Sequence, residues 1–166
     1  MRIGFGYDVH PLVEGRKLIL GGVEIPFEKG LEGHSDADVL LHAICDGILG
    51  ALGEGDIGRH FPNTDPQFKG ISSLRLLEGV ASKLAEKFFL VENLDSTVVA
   101  EKPQIGPYIP RMAEQIARVL RIAPQQVNIK ATTSENLGFI GEGKGIAAYA
   151  VVLLKEDSQA KYPNYA

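Results

Sequence analysis

Between His34 and Asp46 the chain reads His-Ser-Asp-Ala-Asp-Val-Leu-Leu-His-Ala-Ile-Cys-Asp, and this run constrains the fold more than any other stretch. Val39, Leu40, Ala43, Ile44, Ile48 and Leu49 keep helical spacing, which predicts a helix with one side against a core. Ser35 or Asp36 is placed to cap its first free amides, and the glycines at 53 and 55 to end it. Asp38, His42 and Asp46 recur four residues apart and are expected to share a face. A histidine between two carboxylates on such a helix must either meet water or have positive charge beside it. A metal ion is the simplest such charge.

The flanking sequence supplies strands. Ile3, Phe5, Tyr7 and Val9 alternate with Arg2, Gly4, Gly6, Asp8 and His10, so Asp8 and His10 project to the same side until Pro11 stops the run. Leu18-Ile-Leu20 and Val23-Glu-Ile25 flank Gly21-Gly22, a hairpin signal, and residues 26–33 read as a loop. A long connection follows over 56–70, carrying Phe61-Pro-Asn-Thr-Asp65-Pro, and unstructured loops of that length in compact domains are usually functional. Ser72 or Ser73 caps a second helix with Leu74, Leu77, Val80, Ala81, Leu84 and Phe88 on its apolar side. Residues 94–100 read as a strand and 101–107 as a loop; Pro107 and Pro110 suit the first turn of a helix through Leu120. Residues 127–131 form another strand, the glycines at 138–145 a turn, and Ile146 to Leu154 a long apolar strand. The last dozen residues are polar and expected to fray.

The order β–ββ–α–α–β–α–β–β predicts an α+β fold: a mixed sheet with helices packed on one face. Residues 1–155 are expected to make one domain and 156–166 a C-terminal tail. The final strand is apolar on both faces, and the helices of so small a domain cover only one, so another subunit is expected on the other. The net charge of −4, with basic residues scattered, argues against nucleic acid as a partner. No apolar run approaches the ~20 residues of a membrane span. The N-terminus lacks the apolar core of a signal peptide, so a cytoplasmic location with no membrane partner is expected. A trimmed organellar form would present the same features.

Two places offer chemistry. Asp8, His10 and His42 make a three-ligand set that suits Zn²⁺ and leaves a fourth position open, although a helix histidine is commonly just hydrogen-bonded. Cys45, at i+3 from His42, is either a further ligand or a small buried hydrophobe. Ala131-Thr-Thr-Ser-Glu135 offers a phosphate cradle with one carboxylate for Mg²⁺ or Mn²⁺, or simply a Thr-rich strand end. No Ser/His/Asp order or Cys/His pair demands covalent catalysis.

Five motifs then occur in fixed order: Gly-Tyr-Asp8-Val-His10, Gly-His34-Ser-Asp-x-Asp-x-x-x-His42, Gly-Asp56-Ile-Gly58, Phe61-Pro-x-Thr-Asp65-Pro and Lys130-Ala-Thr-Thr-x-Glu135-x-Leu-Gly-Phe139. Together, over residues 1 to about 155, they resemble the 2-C-methyl-D-erythritol 2,4-cyclodiphosphate synthase family of the non-mevalonate isoprenoid pathway. The resemblance implies an intramolecular phosphoryl transfer. The 2-phosphate of 4-diphosphocytidyl-2-C-methyl-D-erythritol 2-phosphate attacks the β-phosphorus and expels CMP. It implies Zn²⁺ or another divalent ion at Asp8, His10 and His42, Mg²⁺ or Mn²⁺ at Glu135, and His34 and Thr133 as transition-state stabilisers. Substrate contacts would fall to Ser35, Asp56, Ile57, Gly58, Phe61, Pro62, Asn63, Thr64, Asp65, Ser134 and Phe139. Ala100, Lys102, Pro103, Gln104, Ile105, Gly106, Ala131 and Thr132 would form the cytidine pocket. That pocket would come from the neighbouring subunit of a homotrimer whose sheets face the three-fold axis, with active sites between subunits.

Three positions depart from the family pattern. Asn63 stands where Asp is usual, and Gln104 where Lys is frequent, with Lys102 a substitute cation. Glu142 stands where many relatives carry an Arg that lines a channel on the trimer axis and clamps isoprenoid diphosphates. Three glutamates there would repel such a ligand, so binding in the channel is expected to be poor; Lys144 is the nearest cation. Two rival readings remain from the residues: a metal-dependent phosphohydrolase, and a trimeric carrier of diphosphates.

Overall fold

The computed structural model describes residues 1–158. Strand β1 (Arg2–Glu14) is followed by the hairpin β2 (Leu18–Leu20) and β3 (Val23–Ile25), then β4 (Lys29–Leu31) and helix α1 (Val39–Leu52). A short α2 (Ile57–His60) and a 3-10 turn (Pro66–Phe68) lead to α3 (Ser73–Glu86), β5 (Phe89–Val99) and α4 (Ile109–Leu120). The chain closes with β6 (Val127–Thr132), a short α5 (Gly138–Gly141) and β7 (Gly145–Glu156). Five strands form one mixed sheet in the order β4-β1-β7-β5-β6, with β5 and β6 parallel and the other pairs antiparallel. The α+β fold expected from the sequence is therefore present.

Helix α1 lies across β1 and β7 and is nearly all core, with Leu40, Leu41, Ile44, Ile48 and Leu49 fully buried. Its close approach depends on two glycines of β1. A Cβ on Gly4 would lie 1.9 Å from the Gly47 carbonyl oxygen, and one on Gly6 1.9 Å from that of Ala43. Small residues at 43, 47 and 51 answer them from the helix. The opposite face of the sheet carries Ile3 (72% exposed), Phe5 (62%), Tyr7, Val9, Tyr149 and Val151, with Ile3 opposite Leu153 and Tyr7 opposite Tyr149. That face is open in the single chain.

Several boundaries differ from expectation. Pro11 does not stop β1. It sits where the strand hands over from β7 (Arg2–Pro11) to β4 (Leu12–Glu14), and its carbonyl accepts from the Glu32 amide. Residues 26–33, read as a loop, contain β4, whose three residues show no alternation of their own. The 56–70 connection is not structureless, since it holds α2 and the 3-10 turn. Phe88 is not part of α3. The helix ends at Glu86, and Phe88 turns the chain at φ +59° with its ring half exposed. Strand β5 begins at Phe89 rather than 94, since Phe89 to Val91 already pair with β7, and the register then shifts between Val91 and Asn93. That bulge moves the buried set from Val91 to Leu94, Ser96 and Val98, and so breaks the period-2 signal. The caps at Ser72 and Gly53 fall where the sequence put them. The tail expected over 156–166 lies outside the described residues from 159 onward.

Candidate metal centre and active site

Asp8 and His10 leave β1 on the side facing α1, and His42 comes from the first turn of that helix. Asp8 Oδ2 lies 3.0 Å from His10 Nε2 and 2.9 Å from His42 Nδ1, and the two ring nitrogens are 3.2 Å apart. Among the described residues these three form the group able to hold a metal ion. Hydrogen-bond partners behind the rings decide which atoms face inward. His10 Nδ1 donates to the Glu32 carbonyl at 2.6 Å, which leaves Nε2 bare. His42 Nε2 is 2.9 Å from Ser73 Oγ and 3.2 Å from Ser35 Oγ. With the ring hydrogen of His42 on Nε2, three lone pairs converge on one point, and only a cation reconciles them. The donor set thus fits Zn²⁺ or a similar divalent ion.

The charges agree with this geometry. Burial would raise the Asp8 carboxyl, but with protons on the facing ring nitrogens in an ion's place, hydrogen bonds from His10 and His42 outweigh it and hold the pKa at about 2. Burial would likewise lower the His10 ring, and the hydrogen bond and charge of Asp8 raise it instead.

The helix face expected to carry Asp38, His42 and Asp46 is rearranged. Asp38, rather than Ser35 or Asp36, is the N-cap, with extended backbone (φ −68°, ψ 91°). Its fully buried carboxylate accepts from Leu41 N at 3.1 Å, Gly21 N at 3.0 Å and Gly22 N at 2.7 Å, tying the β2–β3 turn to the start of α1. Burial, then the Asp36 charge, push its pKa up to about 7 against those three amides. Asp46 accepts from Ile57 N at 2.7 Å and so anchors α2; the structure gives it no hydrogen bond to the His42 ring. Cys45 is fully buried in the core and stands outside the ligand group; burial pushes its thiol well up.

The triad opens into a cavity of about 220 Å³ lined also by His34, Ser35, Ile57, Gly58, Phe61 and Asn63, with Phe68, Ile71 and Leu76 as its apolar wall. His34 Nε2 lies 3.3 Å from the Asp65 carbonyl, and the His34 carbonyl accepts from Gly70 N at 2.7 Å. Arg16 grips both carbonyls that flank His34, at 2.8 Å from Ser35 O and 3.4 Å from Gly33 O. Asp56 caps α2 through Arg59 N, and Asp65 caps the 3-10 turn through Gln67 N. Those two residues, with Pro62 and Thr64, belong to the same segment but stand outside the lining of the cavity.

A second, larger cleft of about 660 Å³ gathers Ala100, Lys102, Pro103, Gln104, Ile105, Gly106, Ala131, Thr132 and Thr133, together with Phe27, Glu101 and Ile109. Beyond it, Thr133 Oγ1 donates to Glu135 Oε1 at 3.0 Å on a turn where Glu135 and Asn136 both have positive φ. Glu101 holds that turn, its Oε1 accepting from Ser134 N (2.8 Å), Ser134 Oγ (3.1 Å) and Asn136 N (3.2 Å). Phe139 is on α5 beside this turn, and Glu142 is ion-paired with Lys144 at the rim of a neighbouring polar cleft.

A single chain does not bring the two clefts together. Asp8 pairs with Ala148, Ala148 with Val98, and Val98 with Ala131, so the clefts are three strand spacings apart, about 14 Å. Sequence reasoning gave no part to Arg16 or Glu101 and took Asp36 and Ser73 only as candidate helix caps. All four act through hydrogen bonds to residues distant in the chain, and no local spacing marks that role.

Comparison with known proteins bears on all of this. The YgbB family model matches residues 1–155. A 2-C-methyl-D-erythritol 2,4-cyclodiphosphate synthase of Pelobacter propionicus is 66% identical over 154 residues, 93% of this chain and 98% of the relative. The synthase of Geobacter sulfurreducens is 63% identical over 156 residues, 94% of this chain and 99% of the other. Among solved structures, a complex of Plasmodium falciparum IspF with CDP aligns over 95% of this chain and 97% of that one, with a TM-score of 0.83 at 37% identity. The bifunctional IspDF of Campylobacter jejuni aligns over 93% of this chain with a TM-score of 0.90 at 43% identity. This chain spans 42% of that longer protein.

Proposed function

The chain belongs to the YgbB family, and from that premise we infer that it catalyses the cyclisation for which its relatives are named. It is an enzyme of the lyase class. It converts 4-diphosphocytidyl-2-C-methyl-D-erythritol 2-phosphate to 2-C-methyl-D-erythritol 2,4-cyclodiphosphate and releases CMP. The convergence of Asp8, His10 and His42 at the mouth of a cavity lined by His34 and Ser35 carries the reading most directly.

Nucleophile and electrophile belong to one substrate, so the protein's work is to fold that molecule and to meet the charge that develops. Divalent ions, Zn²⁺ on the triad and Mg²⁺ or Mn²⁺ at Glu135, supply positive charge to the diphosphate oxygens when bound. His34, its flanking carbonyls gripped by Arg16 and its ring Nε2 against Asp65 O, is placed in the cavity beside the phosphoryl group whose charge it would meet. Ser35 stands beside the 2-phosphate, and the 56–65 segment takes the erythritol portion. Thr133 reaches the phosphate chain from the second cleft, whose wall of Ala100, Pro103, Ile105 and Ala131 suits a flat pyrimidine.

The reading includes a homotrimer with active sites between subunits. Two observations support it: the open apolar face of the sheet, which runs from Ile3 to Val9 on β1 and across Tyr149 and Val151 on β7, and the separation of the two clefts. Docking one subunit's second cleft against another's metal cavity would complete a site of the needed length. Poor binding of isoprenoid diphosphates on the axis belongs to the same reading, since the Lys144 paired with Glu142 cancels that charge without supplying the clamp of an arginine, and so does a cytoplasmic location. Among the described residues no helix is long and apolar enough to cross a membrane.

Incubation of the purified protein with the diphosphocytidyl substrate tests the whole. CMP and the cyclic diphosphate should appear together, and His42→Ala should stop both. Release of inorganic phosphate instead would favour a phosphohydrolase, and a stable complex without turnover a carrier.

A further inference from the structure

Resting on the metal reading above, we propose that Ser73 and Asp36 are positioning residues for His42, fixing its ring so that a bare Nδ1 faces the metal position and thereby setting metal affinity. Ser73 is the first residue of α3 and fully buried. Its Oγ is 2.5 Å from Asp36 Oδ1, and its amide donates to Asp36 Oδ2 at 3.0 Å. A carboxylate only accepts, so the short contact commits the Ser73 hydroxyl hydrogen to Asp36. Ser73 Oγ can then only accept from His42 Nε2, 2.9 Å away, and Nε2 must carry the ring hydrogen. In the neutral ring Nδ1 is then left with its lone pair, aimed at the point shared with Asp8 and His10.

The other hydroxyl near the ring does not dictate this. Ser35 Oγ is farther from Nε2, at 3.2 Å, it accepts from Ala37 N, and its own hydrogen is not committed to a carboxylate. His10 differs in kind, because a backbone carbonyl fixes its ring and no side-chain change removes that. Asp36 is itself pinned, its amide donating to Ile71 O at 3.0 Å while Gly70 N donates to His34 O. The segments 34–36 and 70–73 are thus laced together, and the orientation of one metal ligand depends on the lacing. An acceptor behind the ring also makes the coordinating nitrogen more basic, and losing such a partner costs about 10- to 100-fold in metal affinity.

The test compares wild type, Ser73→Ala, Asp36→Ala, Asp36→Asn and His42→Ala. Zinc affinity is read by competition with a chromophoric chelator, and the His42 tautomer by ¹⁵N NMR of the zinc-free protein. Ser73→Ala should weaken zinc about 10- to 100-fold, with the tautomer no longer uniform. CMP release lost at limiting zinc should return at saturating zinc. Asp36→Ala frees the Ser73 hydroxyl to donate to Nε2, so the ring hydrogen should move to Nδ1 and zinc should weaken at least as much. Asp36→Asn keeps an acceptor for Ser73 and should recover most of the affinity. Wild-type His42 carrying its hydrogen on Nδ1 would overturn the proposal without any variant, even if Ser73→Ala did not fold. So would Ser73→Ala and Asp36→Ala that keep the wild-type tautomer and bind zinc within twofold while His42→Ala loses it. Retention of zinc by His42→Ala would overturn the metal reading itself, and the proposal with it.

Discussion

Adding one methyl group at Gly6 should weaken zinc binding at a site that Gly6 does not touch. A Cβ there would sit 1.9 Å from the Ala43 carbonyl oxygen, whereas carbon and oxygen ordinarily approach no closer than about 3.3 Å. Helix α1 must retreat by about 1.4 Å, the difference between those two distances, and His42 is the residue next to Ala43. Metal sites tolerate about 0.2 Å in ligand distance, so the displacement exceeds tolerance several times over. Gly6→Ala should therefore weaken zinc at least about tenfold, the scale of outer-shell perturbations. Gly4→Ala is the control. Its Cβ meets the Gly47 carbonyl at the same 1.9 Å, but a turn farther along the helix from His42. Overpacking in a tight core costs about 1–3 kcal/mol in either variant. In a domain of this length that lowers Tm by roughly 2–12 °C. Melting curves and chelator competition on both proteins decide the matter. Equal loss of Tm with equal zinc affinity would refute a link between helix placement and the metal site.

Glu135→Gln should retain stoichiometric zinc yet lose CMP release, with excess Mg²⁺ or Mn²⁺ restoring it only in part; an unchanged divalent-ion dependence would make Glu135 structural. Asp46→Ala frees the Ile57 amide and loosens α2, so KM for the substrate should rise about tenfold for one lost charge-assisted hydrogen bond. Zinc affinity should stay within about twofold, since the structure gives Asp46 no hydrogen bond to His42. Zinc binding should also weaken on acidification. Protons compete for His10, which Asp8 raises above the ordinary 6.5, so the loss begins at a pH higher than for an ordinary histidine. Asp8, held at about 2, contributes nothing to that loss. A chelator titration flat down to pH 6 would contradict it.

Features carried by neighbouring residues were legible before any coordinates. The Gly21-Gly22 hairpin, the caps at Ser72 and Gly53, and the shared side of Asp8 and His10 all follow from one short window each. What escaped depends on partners far along the chain. Strand β4 exists because the end of β1 pairs with it, and the start of β5 was hidden by a bulge that reverses its parity. Asp38 looked like a member of the His42 face because four-residue spacing implies one. It instead turns back to collect amides from a hairpin sixteen and seventeen residues away in sequence. Ser73 looked like one of two interchangeable caps, although only Ser72 caps and Ser73 meets the His42 ring. The gap between the clefts was invisible for the same reason, since strand order is not written in any window.

That gap has a genetic consequence. If a site needs the metal triad of one subunit and Thr133 of its neighbour, two defective chains can repair each other. A His42→Ala chain contributes an intact Thr133, and a Thr133→Ala chain an intact triad. Random mixing in equal amounts would place them in the productive order at about a quarter of the interfaces of a cyclic trimer. Cells carrying both alleles would then grow where neither allele alone supports growth. Two substitutions within one cleft, such as His42→Ala and Asp8→Ala, would never complement.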